Sequence, residues 1–374
     1  MNDSKIAPGP KGTPLGGNLW SFWLDFFKLL DKGHEQYGDV VRYRVINKIY
    51  HLLTHPDDIK HVLLSHKENY SRSLAQSSQL LHTVTGDSVI SLDGQAWQQR
   101  RRLCAPAFSS TSLKSYMPAI INCTQQAIRK WQNLDSLNIE RALSSLTANI
   151  VGQTFFGAST NWDEGEFEQS IKQILKHHWQ RIKSPTDIVH KLPFKGRRDF
   201  DKAMDYIRDI VQNILDQQHN IDPQSLLAQL ISAQEESHKL SAEDLKNEII
   251  TFLLAGHETT TTALTWCFYL LAKHPEWQDR IAKEASDKLR PNSPNLDMPK
   301  TKRFFQETIR LYPSVWLIER HVIEDDVIQG YHIPKDSTII LSSLTTHRDE
   351  KFWDNPQEFN PDRFLNEPIK AYFI

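Results

Sequence analysis

The chain has 374 residues, 44 of them basic and 46 acidic, and this near-cancellation to a net charge of −2 offers no field for nucleic acid or an anionic membrane surface. Apolar residues make up 39% and charged ones 24%, a globular composition, and three cysteines are too few for a disulfide framework and suggest a reducing compartment. Met1 to Lys11 has no apolar stretch behind its charges, and no window nears the ~18 uninterrupted apolar residues of a membrane span, so the expectation is a cytoplasmic protein without secretory signal or transmembrane anchor.

In chain order, residues 1–18 read as a Pro/Gly-rich lead-in, carried by Pro8-Gly9-Pro10-Lys11-Gly12 and Gly16-Gly17. Leu19 to Leu30 is very aromatic and apolar at helical spacing. It fits a helix packed on the core, and it equally fits a greasy lip touching membrane or lipid substrate. Residues 41–45 alternate Val41, Tyr43 and Val45 with Arg42 and Arg44, the period of a half-exposed strand, before an Asn47-Lys48 turn. Strand signals then vanish for some two hundred residues, and helical patterns such as Phe200–Gln218 and Leu226–Ser237 take over.

The longest helix is expected over about Ala242 to Lys273, roughly 45 Å long at about 1.5 Å per residue. Ser241 with Asp244 makes a capping-box start, and His274-Pro275 stops it. Strand character returns after Arg320, around Tyr331–Ile333 and Thr338–Leu341. With no repeat and no low-complexity tract, residues 1–374 read as a single domain, mainly α with small β-sheets at both ends (α+β).

Inside that long helix, Phe252-Leu253-Leu254 gives way to Ala255-Gly256-His257-Glu258 and four threonines from Thr259. Glycine and β-branched threonine are poor helix formers, and a threonine hydroxyl bonds the carbonyl a turn earlier. One reading is a close helix crossing at Gly256. The other is a groove where something lies against the backbone, with Glu258 and Thr259 supplying an acid and a hydroxyl for proton transfer. Elsewhere, Trp97 and Arg101 put two donors on one helix face, suited to a carboxylate or phosphate. Glu307 and Arg310 place opposite charges three apart, although one Glu-x-x-Arg is expected by chance in about every chain of this length. Phe359-Asn360-Pro361-Asp362-Arg363-Phe364 sets an arginine in a polar turn.

Metal readings are weak. His51 and His55 have zinc-like spacing but lack a partnered glutamate, and His177-His178 and the His61/His66 pair read as surface residues. No Gly-rich phosphate loop follows a strand.

Taken together and in order, Trp-x-x-x-Arg, Ala-Gly-His-Glu-Thr-Thr, Glu-Thr-Ile-Arg-Leu-Tyr-Pro and Phe-Asn-Pro-Asp-Arg-Phe resemble the cytochrome P-450 family of haem-thiolate monooxygenases. The resemblance runs from the Pro-Gly-Pro lead-in to residue 364. It implies the P-450 fold, haem b with its iron as cofactor, and insertion of one oxygen atom from O2 into a lipophilic organic substrate, fatty-acid-like hydroxylation among the options. It further implies that Trp97 and Arg101 hold one haem propionate and Arg320 another. Glu258 and Thr259 become the catalytic acid–alcohol pair, and their presence points to oxygen rather than peroxide. Glu307, Arg310 and Arg363 become a buried structural ion triad, and Ala255 and Gly256 line the substrate pocket together with segments near Ser73–Thr85 and Lys176–Pro193. No flavin or iron–sulfur motif is present, so a separate ferredoxin or flavoprotein electron donor is implied.

The family's cysteine loop, whose thiolate binds the iron, is expected just beyond Ile374, where this sequence stops. Cys104, Cys123 and Cys267 are not expected to replace it; each reads as a buried thiol. The domain is therefore expected to be incomplete at its C-terminus, and the metal ligand lies outside the residues given. The alternatives are a truncated, catalytically inactive remnant and a helical interaction protein.

Overall fold

The computed structural model describes residues 5–157, 162–182, 195–216, 223, 225–237, 240–290, 293–294 and 297–365. The lead-in contributes β1 (Lys5–Ile6), and the aromatic run that follows is two helices, α1 (Leu19–Leu24) and α2 (Phe26–Tyr37), rather than one. Asp25 makes the break: its extended backbone leaves the helix, and its carboxylate accepts the Lys28 N–H at 3.0 Å as the N-cap of α2. β2 (Val40–Val45) and β3 (Lys48–Leu53) form a hairpin whose two-residue loop is Ile46-Asn47, one residue earlier than the sequence pattern suggests. The short α3 (Pro56–Lys60) and β4 (Tyr70–Ser71) follow.

A helical stretch comes next: α4 (Gln76–Thr85), α5 (Gly94–Cys104), α6 (Ser110–Ser115), α7 (Met117–Trp131), α8 (Ile139–Phe155), α9 (Glu164–Ile182), α10 (Lys195–Asp216) and α11 (Leu226–Ser237). The longest helix, α12, runs Ala242–Lys273 as expected. Its capping box is formed: Ser241 Oγ accepts the Asp244 N–H at 3.0 Å while Asp244 accepts the Ser241 N–H at 3.0 Å. Then come α13 (Pro275–Lys288), the two-residue strands β5 (Leu289–Arg290) and β6 (Ser293–Pro294), and α14 (Pro299–Leu311). The chain closes with β7 (Leu317–Val322), β8 (Asp326–Ile328), β9 (Tyr331–Ile333), β10 (Thr338–Ser342) and the single-turn α15 (Ser343–Thr346). Helix makes up 64% of the structure, in line with a mainly α fold carrying small sheets.

The chain groups into two compact units, residues 71–261 and residues 1–70 with 262–374, and the division falls within α12. The first unit is helical. Its core gathers Phe167 and Ile171 of α9, Met204, Ile207 and Ile214 of α10, Leu226 and Leu230 of α11, and Leu245, Ile249 and Leu253 of α12. These repeat every three to four residues, so each helix turns one apolar stripe inward.

The second unit holds the sheets. The larger has the order β2-β3-β10-β7-β4, with β10 parallel to β3 and antiparallel to β7, and the smaller has the order β1-β9-β8. Central β10 is buried along its whole length, which is why it reads as an apolar run without alternation. One face of the larger sheet packs Tyr43, Leu52 and Ile340 against Phe22, Phe26 and Leu30. Gly33 makes that fit possible. A Cβ there would stand 1.8 Å from the Tyr43 hydroxyl, which reaches across α2 to donate to the Leu29 carbonyl at 3.1 Å.

The two histidines of the zinc-like spacing have different surroundings. His51 is wholly buried on β3 with both ring nitrogens lacking a partner, while His55 caps α3. Burial, reinforced by Arg42 and His332, pushes the His51 imidazole down to about 3, so it is neutral in the folded chain. The unfolded chain takes up a proton below about 6.5, and stability is therefore lost as pH falls from there toward 3. Between pH 6.5 and 4.5 the loss from this one group is roughly 2 kcal/mol. Urea unfolding of H51L across that range should show a flatter pH dependence than the wild type, and an identical slope would refute the assignment.

Candidate active site

The middle of α12 departs from regular helix chemistry. The Thr259 hydroxyl donates to the Ala255 carbonyl at 2.7 Å, and Thr251 and Thr261 repeat this one turn back to Asn247 and His257. Gly256 is where α8 crosses: a Cβ there would lie 3.1 Å from Val151 Cγ2 and 3.7 Å from Phe155. Its neighbour Ala255 is exposed, so of the two residues expected to line a pocket only Ala255 presents its side chain outward. His257 is buried, accepts from or donates to Ser144 Oγ at 3.0 Å, and is pushed down to about 4 by that burial.

Glu258 is half-buried. Burial raises its carboxyl above the ordinary range; Glu140 adds to the rise and Lys172 opposes it. Lys172 is itself held by Glu168 at 2.7 Å and Glu140 at 3.5 Å, so Glu258 faces a charged surface network and retains no strong cationic partner of its own among the described residues. A carboxyl whose affinity for its proton is raised by burial has the chemistry of a proton donor.

On α5, Trp97 is flanked by two guanidinium groups, with Arg101 5.3 Å and Arg72 5.1 Å from the ring centroid. Arg72 was not visible in the sequence pattern because it lies outside the helix, after β4. Its guanidinium donates to the Leu92 carbonyl at 2.7 Å and approaches Asp93 at 3.9 Å. Burial lowers its affinity for its proton, Asp93 opposes that, and Arg101 adds to it by repulsion. Two like charges close to one indole ring, with no carboxylate paired to Arg101 among the described residues, make a site that gains from an added anion.

A third side chain anchors α5. Arg100, which the motif spacing passes over, donates to Asp244 at 2.8 Å and stands 3.5 Å from Glu248 on α12. Glu248 is fully buried and accepts the Val89 N–H at 2.7 Å; burial pushes it up to about 7 against the pull of Arg100.

In the other unit, Arg320 lies on β7 opposite Ile339 and donates to the Glu319 carbonyl at 2.7 Å. The structure brings Glu307, Arg310 and Arg363 together. Arg310 reaches both Glu307 oxygens, at 2.7 and 2.9 Å, and Arg363 reaches Glu307 at 3.0 Å. Glu307 also accepts the Asn360 N–H at 2.8 Å. The remaining Arg310 donors go to the carbonyls of His347, Pro356 and Glu358.

The three cysteines are buried thiols. Burial pushes Cys104, the last residue of α5, up to about 12 and Cys267 up to about 11, and it raises Cys123 as well. None is prepared to be a thiolate. The expected surface histidines divide: His61 and His66 stack with centroids 3.9 Å apart, whereas His177 is buried against Phe200 at 4.3 Å, a correction the helix periodicity did not signal. Of the expected pocket segments, residues 183–193 lie outside the described residues.

The family model for cytochrome P450 matches residues 7–373. The chain belongs to the cytochrome P450 family. Among curated relatives, it is 28% identical over 379 residues to cyclooctat-9-en-7-ol 5-monooxygenase of Streptomyces melanosporofaciens, covering 97% of this chain and 80% of that protein. It is 27% identical over 358 residues to leukotriene-B4 omega-hydroxylase 3 of Mus musculus, covering 85% and 67%. Its fold matches the retinoic acid bound cyanobacterial CYP120A1 with a TM-score of 0.83 at 24% identity, covering 99% of this chain and 86% of the other. This P450 is thus a haem-dependent oxidoreductase of the monooxygenase type. The donors around Trp97 fit the anionic edge of a haem, while the axial thiolate is not among the described residues.

The triad gives this P450 a clear stability signature. E307A leaves Arg310 buried without its counter-charge and should cost about 3–5 kcal/mol. Urea midpoints measure it, and a loss under about 1 kcal/mol would show the pair to be dispensable.

Proposed function

We propose that this chain inserts one oxygen atom of O2 into a lipophilic, largely hydrocarbon substrate, with electrons supplied by a separate ferredoxin or flavoprotein. The observation that carries the reading is the central turn of α12, where Thr259 is bonded to the Ala255 carbonyl and the neighbouring Glu258 carboxyl is raised by burial. The relatives support the substrate class: one is named for cyclooctat-9-en-7-ol and another for leukotriene B4, both mostly hydrocarbon. A fatty-acid-like chain is one member of that class, as the omega-hydroxylase relative named for leukotriene B4 suggests.

In this reading Trp97 and Arg101 bind one haem propionate through the indole N–H and the guanidinium, and Arg320 binds the other. The repulsion between Arg72 and Arg101 makes an anion there favourable. When bound, haem iron with a thiolate ligand supplies the oxygen-splitting chemistry. Thr259, fixed by its bond to the Ala255 carbonyl, positions a hydroxyl oxygen that accepts and passes on a proton. Glu258 holds that proton at its carboxyl and renews it from the solvated face bearing Glu140, Glu168 and Lys172. Ala255 offers a small apolar surface to the substrate; Gly256 serves the crossing with α8.

In the haem-loaded protein supplied with an electron donor and O2, E258Q should slow substrate oxidation by about 10²–10⁴-fold. Substrate-induced changes in the Soret band should persist, because binding does not use the proton. Wild-type turnover should fall as pH rises through the raised Glu258 value, since only the protonated carboxyl donates, and E258Q should lack that limb. An unchanged rate in E258Q would remove Glu258 from the reaction. A reduced, carbon monoxide-treated haem-loaded protein without a strongly red-shifted Soret band would remove the haem-thiolate reading itself.

A further inference from the structure

The turn that joins α4 to α5 is fastened to α12 by one buried carboxyl group. Glu248, in the first half of α12, is wholly buried, and its Oε1 accepts the Val89 N–H at 2.7 Å. Within the turn, Ser91 closes the chain on itself, accepting the Ser88 N–H at 3.0 Å and donating to the Gly86 carbonyl at 2.6 Å. Gly86 has φ 54° and comes close to the same helix: a Cβ there would stand 2.4 Å from the Asn247 amide. Asn247 and Glu248 are consecutive, so one short stretch of α12 carries both the contact and the bond.

That carboxyl is only half satisfied. Oε2 is buried without a hydrogen-bond partner among the described residues, and so is Nη1 of Arg100, which stands 3.5 Å from Oε1. The hydrogen bond that Arg100 does make goes to Asp244 at 2.8 Å. A neutral carboxyl tolerates a dry oxygen far better than an ionised one does, because a buried charge needs full hydrogen bonding to offset its lost hydration. The groups that face Glu248 are Arg100 and Cys104 of α5 and Asp244 of its own helix. Burial pushes the Cys104 thiol up to about 12, so it stays uncharged. The turn brings only the Val89 N–H, since its one acid, Asp87, is exposed and paired with His82 at 2.9 Å. Burial pushes the Glu248 carboxyl up to about 7 against Arg100 and the Val89 N–H, so its ionisation falls within the ordinary pH range.

We propose that Glu248 is a positioning residue that works as a latch: protonated, it seals the turn of residues 86–92 onto α12, and on ionisation it releases that turn to water. The direction follows from proton counting. Once the turn lifts, Glu248 is hydrated and returns to the ordinary carboxyl value of 4.5. Between there and about 7 the closed form holds a proton that the open form has lost, so opening becomes easier as pH rises through that window and levels off above it. The far end of the turn extends the effect. The Leu92 carbonyl accepts the Arg72 guanidinium at 2.7 Å, and Arg72 stands 5.1 Å from the Trp97 ring centroid. Releasing the turn therefore loosens Arg72, and the cationic surroundings of Trp97 loosen with it. The latch belongs to the folded chain and does not depend on the oxygen chemistry.

Hydrogen–deuterium exchange of the full chain tests the latch, read by mass spectrometry on peptides covering residues 86–92 and corrected for the intrinsic pH dependence of amide exchange. From pH 5.5 to 8.5 the opening constant of the turn should rise roughly 30-fold, the ratio set by a carboxyl that moves between about 7 and 4.5. E248Q keeps an acceptor for Val89 and never ionises, so its turn should stay closed, with no slope across the range. E248A removes the acceptor, and its turn should be open at both ends of the range. Should E248A fail to fold, the comparison of wild type with E248Q decides alone. D87N, which removes the exposed pair with His82, should leave the wild-type slope in place. Three results would overturn the proposal: a wild-type turn whose opening does not change with pH, a slope that survives in E248Q, or a slope abolished by D87N, which would assign the response to His82.

Discussion

Glu307 and Arg310 are the constraint on which the sheet-bearing unit depends. From His347 to Asn360 the backbone follows neither helix nor strand, so its carbonyls have no ladder to satisfy them. Arg310 supplies the missing donors from its side chain. Its five N–H groups are all committed, two to Glu307 and three to main-chain carbonyls, and its guanidinium lies over the Trp353 ring at 5.1 Å. Arg363 repeats the device at the far end, donating to the carbonyls of Asp354, Asn355 and Glu358. Burying two cations with one anion is costly, and what offsets it here is complete hydrogen bonding rather than charge alone. The short 3₁₀ turn Pro361–Phe364 exists where it does because Glu307 also holds the Asn360 N–H.

The long helix shows the complementary arrangement. Its ends are conventional, capped by Ser241 and stopped by His274-Pro275, and its apolar residues in the first half are core. Its centre is built from residues that weaken helix, and each has a separate local purpose. Gly256 admits α8, Thr259 holds a hydroxyl against the backbone, and Glu258 keeps a carboxyl half in water. Nearer the start, Asp244 and Glu248 clamp Arg100 and so fix the helix that carries Trp97 and Arg101. Burial raises the Glu248 carboxyl to about 7 even though Arg100 and the Val89 N–H pull it down.

Features set by short-range rules were legible in the residues. Both ends of the Ala242–Lys273 helix, the strand around Tyr331 and the period-two strand near Val41 follow from caps, stops and alternation. The split at Asp25 was not, because an acid inside an apolar run serves equally as a solvent-facing residue or an N-cap, and only the backbone decides. Two-residue strands such as Lys5–Ile6 carry no period at all. The site was partly readable: the triad and the Trp97–Arg101 pair came through the ordered motifs. Arg72, His177 and the three carbonyls on Arg310 did not, since each depends on a partner far away in sequence or on main-chain atoms that every residue shares.

The fivefold commitment of Arg310 also limits how this chain can change over time. A lysine would keep the charge but has three donors in a different geometry, leaving buried carbonyls dry; an apolar residue would strand Glu307. Changes at 307, 310 and the 347–360 backbone are therefore strongly epistatic, since no single step keeps every group satisfied. Surface positions of the same helix, such as Lys300 and Lys302, answer to no such condition and are free to drift. One would expect descendants of this sequence to differ widely along α14 while returning the same acid and the same arginine three residues apart.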